Sequence, residues 1–174
     1  MALNKMILGN WKMNKTFEEI ETFCHEFNKL IKSDKILRKS GTTIGIAPTF
    51  MGIPPFASNI NPDIKVMAQN CSAKDSGAYT SEVSYRMLKE LNVNYVLLGH
   101  SEVRAHLNEN DQSINEKVKT LLNHGMHAIL CIGETLKEFE TKKTKVILTK
   151  QLQADLAGAD LAKLEYLTIA YEPI

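Results

Sequence analysis

The sequence predicts an α/β fold in which short parallel strands alternate with helices around a barrel. Three observations lead to this prediction: apolar runs recur along the chain, helical patterns fall between them, and three of the runs end on polar clusters. The runs are continuous, as expected of strands buried on both faces, and strands that alternate with helices pair in parallel through right-handed crossovers. Six such runs begin near Met6, Thr43, Ile64, Tyr95, His127 and Leu167.

A capping box marks the start of the first helix. Thr16 is placed at the N-cap and Glu19 follows three residues later, so each side chain can bond the backbone N–H of the other residue. Apolar residues then recur at helical spacing and predict one buried face. They are Phe17, Ile20, Phe23, Phe27, Leu30 and Ile31.

Three further helices are expected between the later strands. They should cover about 81–91, 111–125 and 133–152, and Gly125 suits the position just beyond a helix end. The segment 53–56 contains two adjacent prolines, so it supports only a short helix or a turn.

The polar clusters at the strand ends favour a barrel over an open, doubly wound sheet. A dinucleotide-binding sheet needs G-x-G-x-x-G after its first strand, and Gly9-Asn10-Trp11-Lys12 does not supply it. In a barrel, catalytic groups come from the carboxyl ends of several strands. The three clusters are Asn10-Trp11-Lys12, His100-Ser101-Glu102 and Tyr171-Glu172-Pro173.

Composition restricts the class of protein. The 174 residues fit a single domain, 1–174, and the 21 basic and 20 acidic residues argue against nucleic acid or an anionic membrane as a partner. No apolar run approaches the roughly 20 residues of a membrane span, and the N-terminal stretch is too short for a signal peptide. Cys24, Cys71 and Cys131 are odd in number and form no C-x-x-C pair, which predicts a reduced, cytoplasmic protein without disulfides or a metal site.

Lys12 and Asn10 follow the first strand. An ammonium group that points inward from a strand end can meet an anionic substrate, although an exposed lysine is the commoner case. Asn10 can hydrogen-bond a substrate oxygen, and asparagine is also an ordinary turn residue. Both interpretations stay open for each residue.

His100 and Glu172 follow the fourth and sixth strands. His100 precedes a helical turn, whose N-terminus disfavours a cationic imidazole, and a neutral imidazole can polarise a carbonyl oxygen. Pro173 biases Glu172 towards extended geometry, where its carboxylate can act as a base towards a carbon acid. The alternatives are a histidine that caps a loop and a glutamate that forms a salt bridge.

Residues near these clusters are expected to support the site. Glu102 either orients Lys12 or adds a negative charge to a helix start, and Ser101 opens the same turn. Cys131 lies in an apolar run and is expected to be a small core residue. The polar loop 70–80 has the length of loops used for function or contact.

Together these stretches resemble the triosephosphate isomerase family, in the family's order and from the first strand to the last residue. Any one motif is modest evidence, whereas their ordered co-occurrence is very specific. They are Gly9-Asn10-Trp11-Lys12-Met13-Asn14, Ala68-Gln69-Asn70, Ser76-Gly77-Ala78-Tyr79-Thr80, Leu98-Gly99-His100-Ser101-Glu102, Cys131-Ile132-Gly133-Glu134 and Ala170-Tyr171-Glu172-Pro173-Ile174.

The resemblance implies a TIM (β/α)8 barrel that interconverts dihydroxyacetone phosphate and D-glyceraldehyde 3-phosphate in glycolysis and gluconeogenesis, without metal or organic cofactor. It assigns Glu172 as the base, His100 as the electrophile and Lys12 as the cation that offsets phosphate and enediolate charge. Asn10 helps to position the substrate, and Ser101, Glu102 and Cys131 support these side chains. The resemblance also implies a homodimer, whose contact loop contains Gln69, Asn70, Gly77, Tyr79 and Thr80.

The chain departs from the family pattern at two positions and in length. Val103 stands where the family usually has arginine, which is expected to weaken a loop–loop or interface ion pair, and Met67 stands where it usually has glycine, a change of packing. A full barrel of this type needs about 250 residues.

The chain is therefore expected to be the N-terminal portion of a barrel, with about the first six strands, ending where the catalytic lid loop begins at Pro173. The last two strand–helix units, which carry phosphate-binding donors in such barrels, are expected to be missing. Two alternatives remain: an inactive fragment that acts only as an assembly or interaction module, and another phosphate-handling barrel enzyme such as an aldolase, which needs a Schiff-base lysine.

Overall fold

The computed structural model describes residues 5–33 and 41–173. Ile174, the last residue of the predicted site motif, lies outside the described residues. The described chain packs into two compact units: one runs as far as Gln69 and includes Met87–Asn94, and the other comprises Asn70–Arg86 and the chain from Tyr95 onward. That residues 1–174 form a single domain stays a prediction.

The first unit contains three parallel strands with helices between them. The strands are β1 (Met6–Asn10), β2 (Thr43–Ala47) and β3 (Lys65–Ala68). β2 lies between the other two. Helix α1 (Phe17–Ser33) follows β1, and α2 (Ile53–Asn59) follows β2 after a 3-10 turn (Phe50–Gly52). α2 is short, as its two prolines predict.

The capping box of α1 is confirmed. The Thr16 backbone N–H donates to Glu19 Oε2 at 2.7 Å, and the Glu19 N–H donates to Thr16 Oγ1 at 3.4 Å. The hydrogen bond from the Thr16 backbone lowers the pKa of Glu19. The box therefore fixes where the chain turns into the helix after β1.

The buried face of α1 is narrower than the sequence predicts. Ile20, Cys24 and Ile31 are buried, whereas Phe17 and Leu30 are exposed. Successive residues on a helix are about 100° apart, so Leu30 cannot share the face that buries Ile31. The prediction for Phe17 and Leu30 was wrong because apolar spacing does not show how wide a face the sheet covers.

An aromatic cluster packs the end of β1 onto α1 and α2. The Trp11 ring lies 5.0 Å from Phe23 and 5.1 Å from Phe56, both edge to face. Such pairs add about 1 kcal/mol each beyond the area that they bury. The loop that carries Lys12 therefore leaves a well-packed strand end.

Met67, which is expected to be a change of packing, is fully buried in β3. Gly45 of β2 makes room for it, because a Cβ at Gly45 would collide with the Met67 sulfur. A glycine on one strand thus accommodates a large side chain on the next.

The second unit repeats the pattern. Its parallel strands are β4 (Tyr95–Leu98), β5 (His127–Ile132) and β6 (Leu167–Tyr171), with β5 in the middle. Its helices are α4 (Ser101–His106), α5 (Asp111–Asn123), α6 (Leu136–Glu140) and α7 (Thr144–Asp155), and a 3-10 turn (Leu161–Tyr166) precedes β6. Helix α3 (Tyr85–Glu90) contributes residues to both units.

The starts of all six strands are confirmed to within a residue, and so is the third predicted helix. α5 begins at Asp111, and Gly125 follows its end with φ of 65°. Two helix predictions were wrong. The helix expected from residue 81 begins at Tyr85, since Ser81 has φ of 76°, and the stretch 133–152 forms two helices, since Lys142 has φ of 56° between them. Within residues 5–33 and 41–173, no helix is long and apolar enough to span a bilayer.

Candidate active site

The second unit brings His100 and Glu172 into contact. His100 follows β4 and Glu172 follows β6, on either side of the end of β5. The Glu172 N–H donates to the Ile132 carbonyl at 2.9 Å, which extends the sheet as far as the carboxylate. His100 Nε2 then lies 2.8 Å from Glu172 Oε1, with His100 6% exposed. Sheet register therefore places these two side chains together.

The hydrogen bonds of His100 define its tautomer. His100 is the N-cap residue of α4, and its Nδ1 accepts the Glu102 backbone N–H at 3.2 Å. A nitrogen that accepts a hydrogen bond carries no proton, so the ring proton is on Nε2, where it is donated to Glu172. The site thus contains a neutral imidazole whose N–H points at a carboxylate.

Two glycines allow this close arrangement. Gly99 has φ of 69°, and a Cβ there would lie 3.0 Å from Arg104 Nη2 and 3.2 Å from the Cys131 carbonyl. At Gly133, a Cβ would collide with the Glu172 carbonyl oxygen. Larger residues at either position would displace the backbone next to a candidate catalytic side chain.

Hydrogen bonds of Arg104 fix the position of the backbone that precedes His100. Its Nε donates to the Gly99 carbonyl at 2.8 Å, its Nη1 to Asp111 Oδ1 at 2.5 Å and its Nη2 to Asp155 Oδ2 at 2.7 Å. Asp155 is fully buried, and burial raises its pKa to about 6 despite the guanidinium beside it. Sequence reasoning missed this ion pair, because nothing in the pattern links residues 51 positions apart.

The residues expected to support the site lie around Glu172. The Ser101 N–H points at Glu172 Oε2 from 3.4 Å, and the Glu102 carboxylate lies 3.7 Å from His100 Nδ1. Cys131 is buried in β5, and burial, reinforced by the negative charge of Glu172, raises the pKa of its thiol to about 12. The thiol is therefore neutral and acts by packing. The expectation that Glu102 orients Lys12 stays a prediction.

A cavity of about 510 Å³ opens beside Glu172, and Ser101, Gly133 and Gln151 contribute to its lining. Glu134 also lines it, with Oε1 accepting from the Thr144 hydroxyl at 2.8 Å and from the Tyr171 hydroxyl at 3.0 Å. Glu134 thus tethers the residue that precedes Glu172. In the sequence, Glu134 was noted only as the last residue of the motif Cys131-Ile132-Gly133-Glu134. Its separation of 37 positions from Tyr171 does not predict this hydrogen bond.

Asn10, Lys12 and Gln69 meet in the first unit. Asn10 Oδ1 accepts the Lys12 N–H at 2.9 Å, and Lys12 has φ of 52°, a left-handed conformation that is uncommon for lysine. Gln69 Nε2 donates to the Lys12 carbonyl at 2.8 Å and to the Ala47 carbonyl at 2.9 Å. These bonds of Gln69 hold the strained loop that carries Lys12. The expectation that Gln69 takes part in a subunit contact stays a prediction.

Replacing Gln69 should loosen that loop. Gln69→Leu removes the side-chain amide, so the Lys12 and Ala47 carbonyl groups each lose one hydrogen bond. We therefore expect a loss of about 2 kcal/mol in the free energy of unfolding, measured with urea. Gln153→Leu, at an exposed position on α7, is the matched control and should change stability by less than about 0.5 kcal/mol. Equal stability of the two variants would contradict the role of Gln69.

The rest of the predicted contact loop is ordered by its own bonds. Asn70 Oδ1 accepts the Cys71 N–H at 2.8 Å and the Lys117 ammonium at 3.1 Å, and Lys117 also pairs with Glu109. Gly77 has φ of 131° and its carbonyl accepts the Tyr79 N–H, which leaves Tyr79 48% exposed and Thr80 exposed. In the described part of the chain no three His, Cys, Asp or Glu side chains converge to hold a metal ion.

Parallel strands alternate with helices, and an imidazole and a carboxylate are in contact at the strand ends, which is the arrangement of an α/β-barrel enzyme. Comparison with protein-family models gives the family: the model described as triosephosphate isomerase matches residues 5–174. The chain belongs to the triosephosphate isomerase family, and the predicted fold class, the first six strands of a TIM barrel, is confirmed.

Curated relatives carry the same description. A triosephosphate isomerase of Mycoplasmoides gallisepticum is 42% identical over 173 residues, covering 99% of this chain and 67% of the relative. Those of Mycoplasmopsis pulmonis and Clostridium botulinum are 38% and 41% identical over 97% of this chain, which spans 68% and 66% of their lengths. The chain thus spans about two thirds of the relatives that it matches.

Proposed function

We propose that this chain carries the proton-transfer side chains of a triose-phosphate isomerase, the enzyme that interconverts dihydroxyacetone phosphate and D-glyceraldehyde 3-phosphate. The observation that carries the proposal is the 2.8 Å contact between His100 Nε2 and Glu172 Oε1. A base and a hydrogen-bond donor this close can act on adjacent atoms of one small substrate. We place the enzyme in the cytoplasm, where its three buried cysteine thiols, Cys24, Cys71 and Cys131, stay reduced.

The chemistry follows from the two side chains. A substrate carbonyl displaces Glu172 from His100 and accepts the Nε2–H. The Glu172 carboxylate takes a proton from the carbon next to that carbonyl, and the electron pair of the broken C–H bond moves to the oxygen, giving an enediolate. Proton transfer through His100 between the two oxygens, and return of the Glu172 proton to the other carbon, completes the isomerisation. Preorganised donors stabilise the charge that develops on oxygen.

Lys12 and Asn10 complete the proposal as substrate-binding residues. The Lys12 ammonium offsets the charge of the phosphate and of the enediolate. Asn10 Oδ1 is engaged with the Lys12 backbone, so its contribution to a substrate is the amide N–H group. The support for both residues is their place at the end of β1, the same kind of position that His100 and Glu172 occupy.

Lys12→Met tests the cation. We expect substrate affinity to fall about 10- to 100-fold, because an ion-assisted hydrogen bond contributes about 1.5–3 kcal/mol. The measurement is steady-state kinetics with each triose phosphate. Lys65→Met, at the opposite end of a strand, is the control and should leave KM and kcat unchanged. The same kinetics for Lys12→Met as for the control would count against Lys12.

The predicted homodimer is also part of the proposal. Tyr79 is 48% exposed at the end of its loop, and Met13 is 92% exposed beside a cavity of about 640 Å³ that Asn14, Lys15 and Glu19 help to line. Exposed apolar side chains next to polar groups are typical of protein contacts. We propose that the loop of one subunit, with Tyr79, docks into this cavity of another.

Tyr79→Asp should weaken that contact. Placing a carboxylate in the interface is expected to raise the dimer dissociation constant at least about 100-fold, as seen by sedimentation velocity over a range of concentrations. Phe139→Asp, at another exposed aromatic residue, is the control and should leave the dimer intact. A chain that sediments as a monomer at every concentration would refute the dimer.

A direct assay separates the enzyme from the alternative of an inactive assembly module. Purified chain of verified mass is tested for isomerisation alone and after addition of the last third of a relative. Activity in either case supports the enzyme. No activity in both, with binding to the added segment, would favour the module and overturn the proposed function.

A further inference from the structure

A cluster of three polar side chains outside the active site joins the loop 70–80 to the end of α5. Tyr85, which is buried at the start of α3, donates its hydroxyl hydrogen to Asp75 Oδ1 at 2.7 Å. The Tyr85 hydroxyl oxygen also lies 2.9 Å from His124 Nε2. The other ring nitrogen of His124, Nδ1, lies 2.8 Å from the Thr120 carbonyl oxygen. We name Asp75, Tyr85 and His124 the Tyr85 cluster.

These three contacts need three protons. The Thr120 carbonyl only accepts, so His124 Nδ1 must be protonated. The Tyr85 hydroxyl has one proton, and the hydrogen bond to Asp75 raises the pKa of Tyr85, so the hydroxyl keeps that proton. With the proton directed at Asp75, Nε2 must supply its own. A neutral imidazole, a phenol and a carboxylate together bring only two protons, so the observed geometry holds one more.

We propose that the Tyr85 cluster binds this additional proton as a His124 imidazolium, and that the proton holds the segment 75–85 against α5. When the proton leaves for solvent, the Tyr85 hydroxyl turns to donate to the bare Nε2. Asp75, which is exposed, then loses its donor and separates from Tyr85. The contact is therefore present at lower pH and is lost as pH rises, because the closed form binds one proton more than the open form.

The charges around His124 are consistent with a cation there. His124 is the C-cap residue of α5, where the carbonyl end of the helix favours positive charge. Asp75 faces it through the Tyr85 hydroxyl. Two cations oppose it: Arg86, next to Tyr85, and Lys163, whose ammonium bonds Asn123 at 3.2 Å while lying 3.7 Å from Asp160.

The test is the protonation of the ring nitrogens, seen by long-range proton–nitrogen NMR on the labelled chain at about pH 6.5. We expect two protonated nitrogens on His124 in the natural chain and one in Tyr85→Phe, which removes the oxygen that requires the second proton. His127 is the internal control, since burial lowers its pKa and it should show one protonated nitrogen in both. A bare nitrogen on His124 in the natural chain would overturn the proposal.

Amide exchange gives a second, independent readout. Protection of residues 75–81, corrected for the intrinsic effect of pH, should fall about 5- to 10-fold between about pH 6 and pH 8, which corresponds to one lost hydrogen bond. His124→Gln cannot take up the proton and should show no such change. Equal pH dependence in both would overturn the coupling even if the variant Tyr85→Phe failed to fold.

The consequence for subunit contact rests on the proposed dimer, since the segment 75–85 includes Tyr79. If the dimer exists, its dissociation constant should rise with pH in the natural chain and not in His124→Gln. A chain that is monomeric at both pH values refutes the dimer alone, because the NMR and exchange results do not depend on it.

Discussion

Glu172→Gln is expected to lower kcat for triose-phosphate isomerisation about 100- to 10,000-fold, the usual contribution of a positioned general base. The amide oxygen can still accept the His100 Nε2–H, so the local structure should persist, but an amide cannot take a proton from carbon. The measurement is steady-state kinetics together with the free energy of unfolding, in whichever preparation shows activity. We expect the stability to change by less than about 1 kcal/mol.

The control for this prediction is an acidic residue away from the site. Glu165→Gln, on the exposed 3-10 turn before β6, removes the same charge and should leave kcat unchanged. Turnover by Glu172→Gln close to that of Glu165→Gln would show that another group takes the proton.

Arg104→Met should cost about 3–5 kcal/mol of stability at about pH 7, the largest stability effect that we expect in this chain. The change leaves Asp155 fully buried without its guanidinium partner and frees the Gly99 carbonyl. Because burial already raises the pKa of Asp155 to about 6, loss of Arg104 should raise it further. The folded variant then binds a proton that the unfolded chain releases near its ordinary pKa, so part of the loss should be recovered as pH falls from about 7 to about 5.

Urea unfolding at both pH values checks this prediction. Arg104→Lys is the matched variant: it keeps the positive charge and loses the planar fork, so it should lie between the natural chain and Arg104→Met at neutral pH. A loss for Arg104→Met that is the same at both pH values would show that the cost comes from packing and not from the charge of Asp155.

Local signals account for most of what could be predicted. The strand starts follow from continuous apolar runs, and the start of α1 follows from Thr16 and Glu19, which satisfy each other's backbone within four residues. The end of α5 is also a local feature, since the left-handed backbone of Gly125 stops the helix. Each of these features depends only on neighbours in the chain.

The errors fall where neighbours in space decide. Leu30 and Phe17 have the spacing of a buried face, and only the sheet beneath α1 determines which turn of the helix it covers. The left-handed backbone of Ser81 and Lys142 delays or divides helices that composition alone would allow. The tether from Glu134 to Tyr171 and the pair of Arg104 with Asp155 join residues 37 and 51 positions apart, beyond any local pattern.

The sequence by itself determined the family, the order of strands and helices, and the positions of Asn10, Lys12, His100 and Glu172 at strand ends. It did so because strand, cap and turn signals are short-range and because ordered motifs are specific. Only the tertiary structure decided the contact of His100 Nε2 with Glu172, the tautomer that this contact requires and the contacts of Tyr85 with Asp75 and His124. The physical reason is that a hydrogen bond depends on distance and direction in space, and residues 72 positions apart acquire these only when β4, β5 and β6 pair in register.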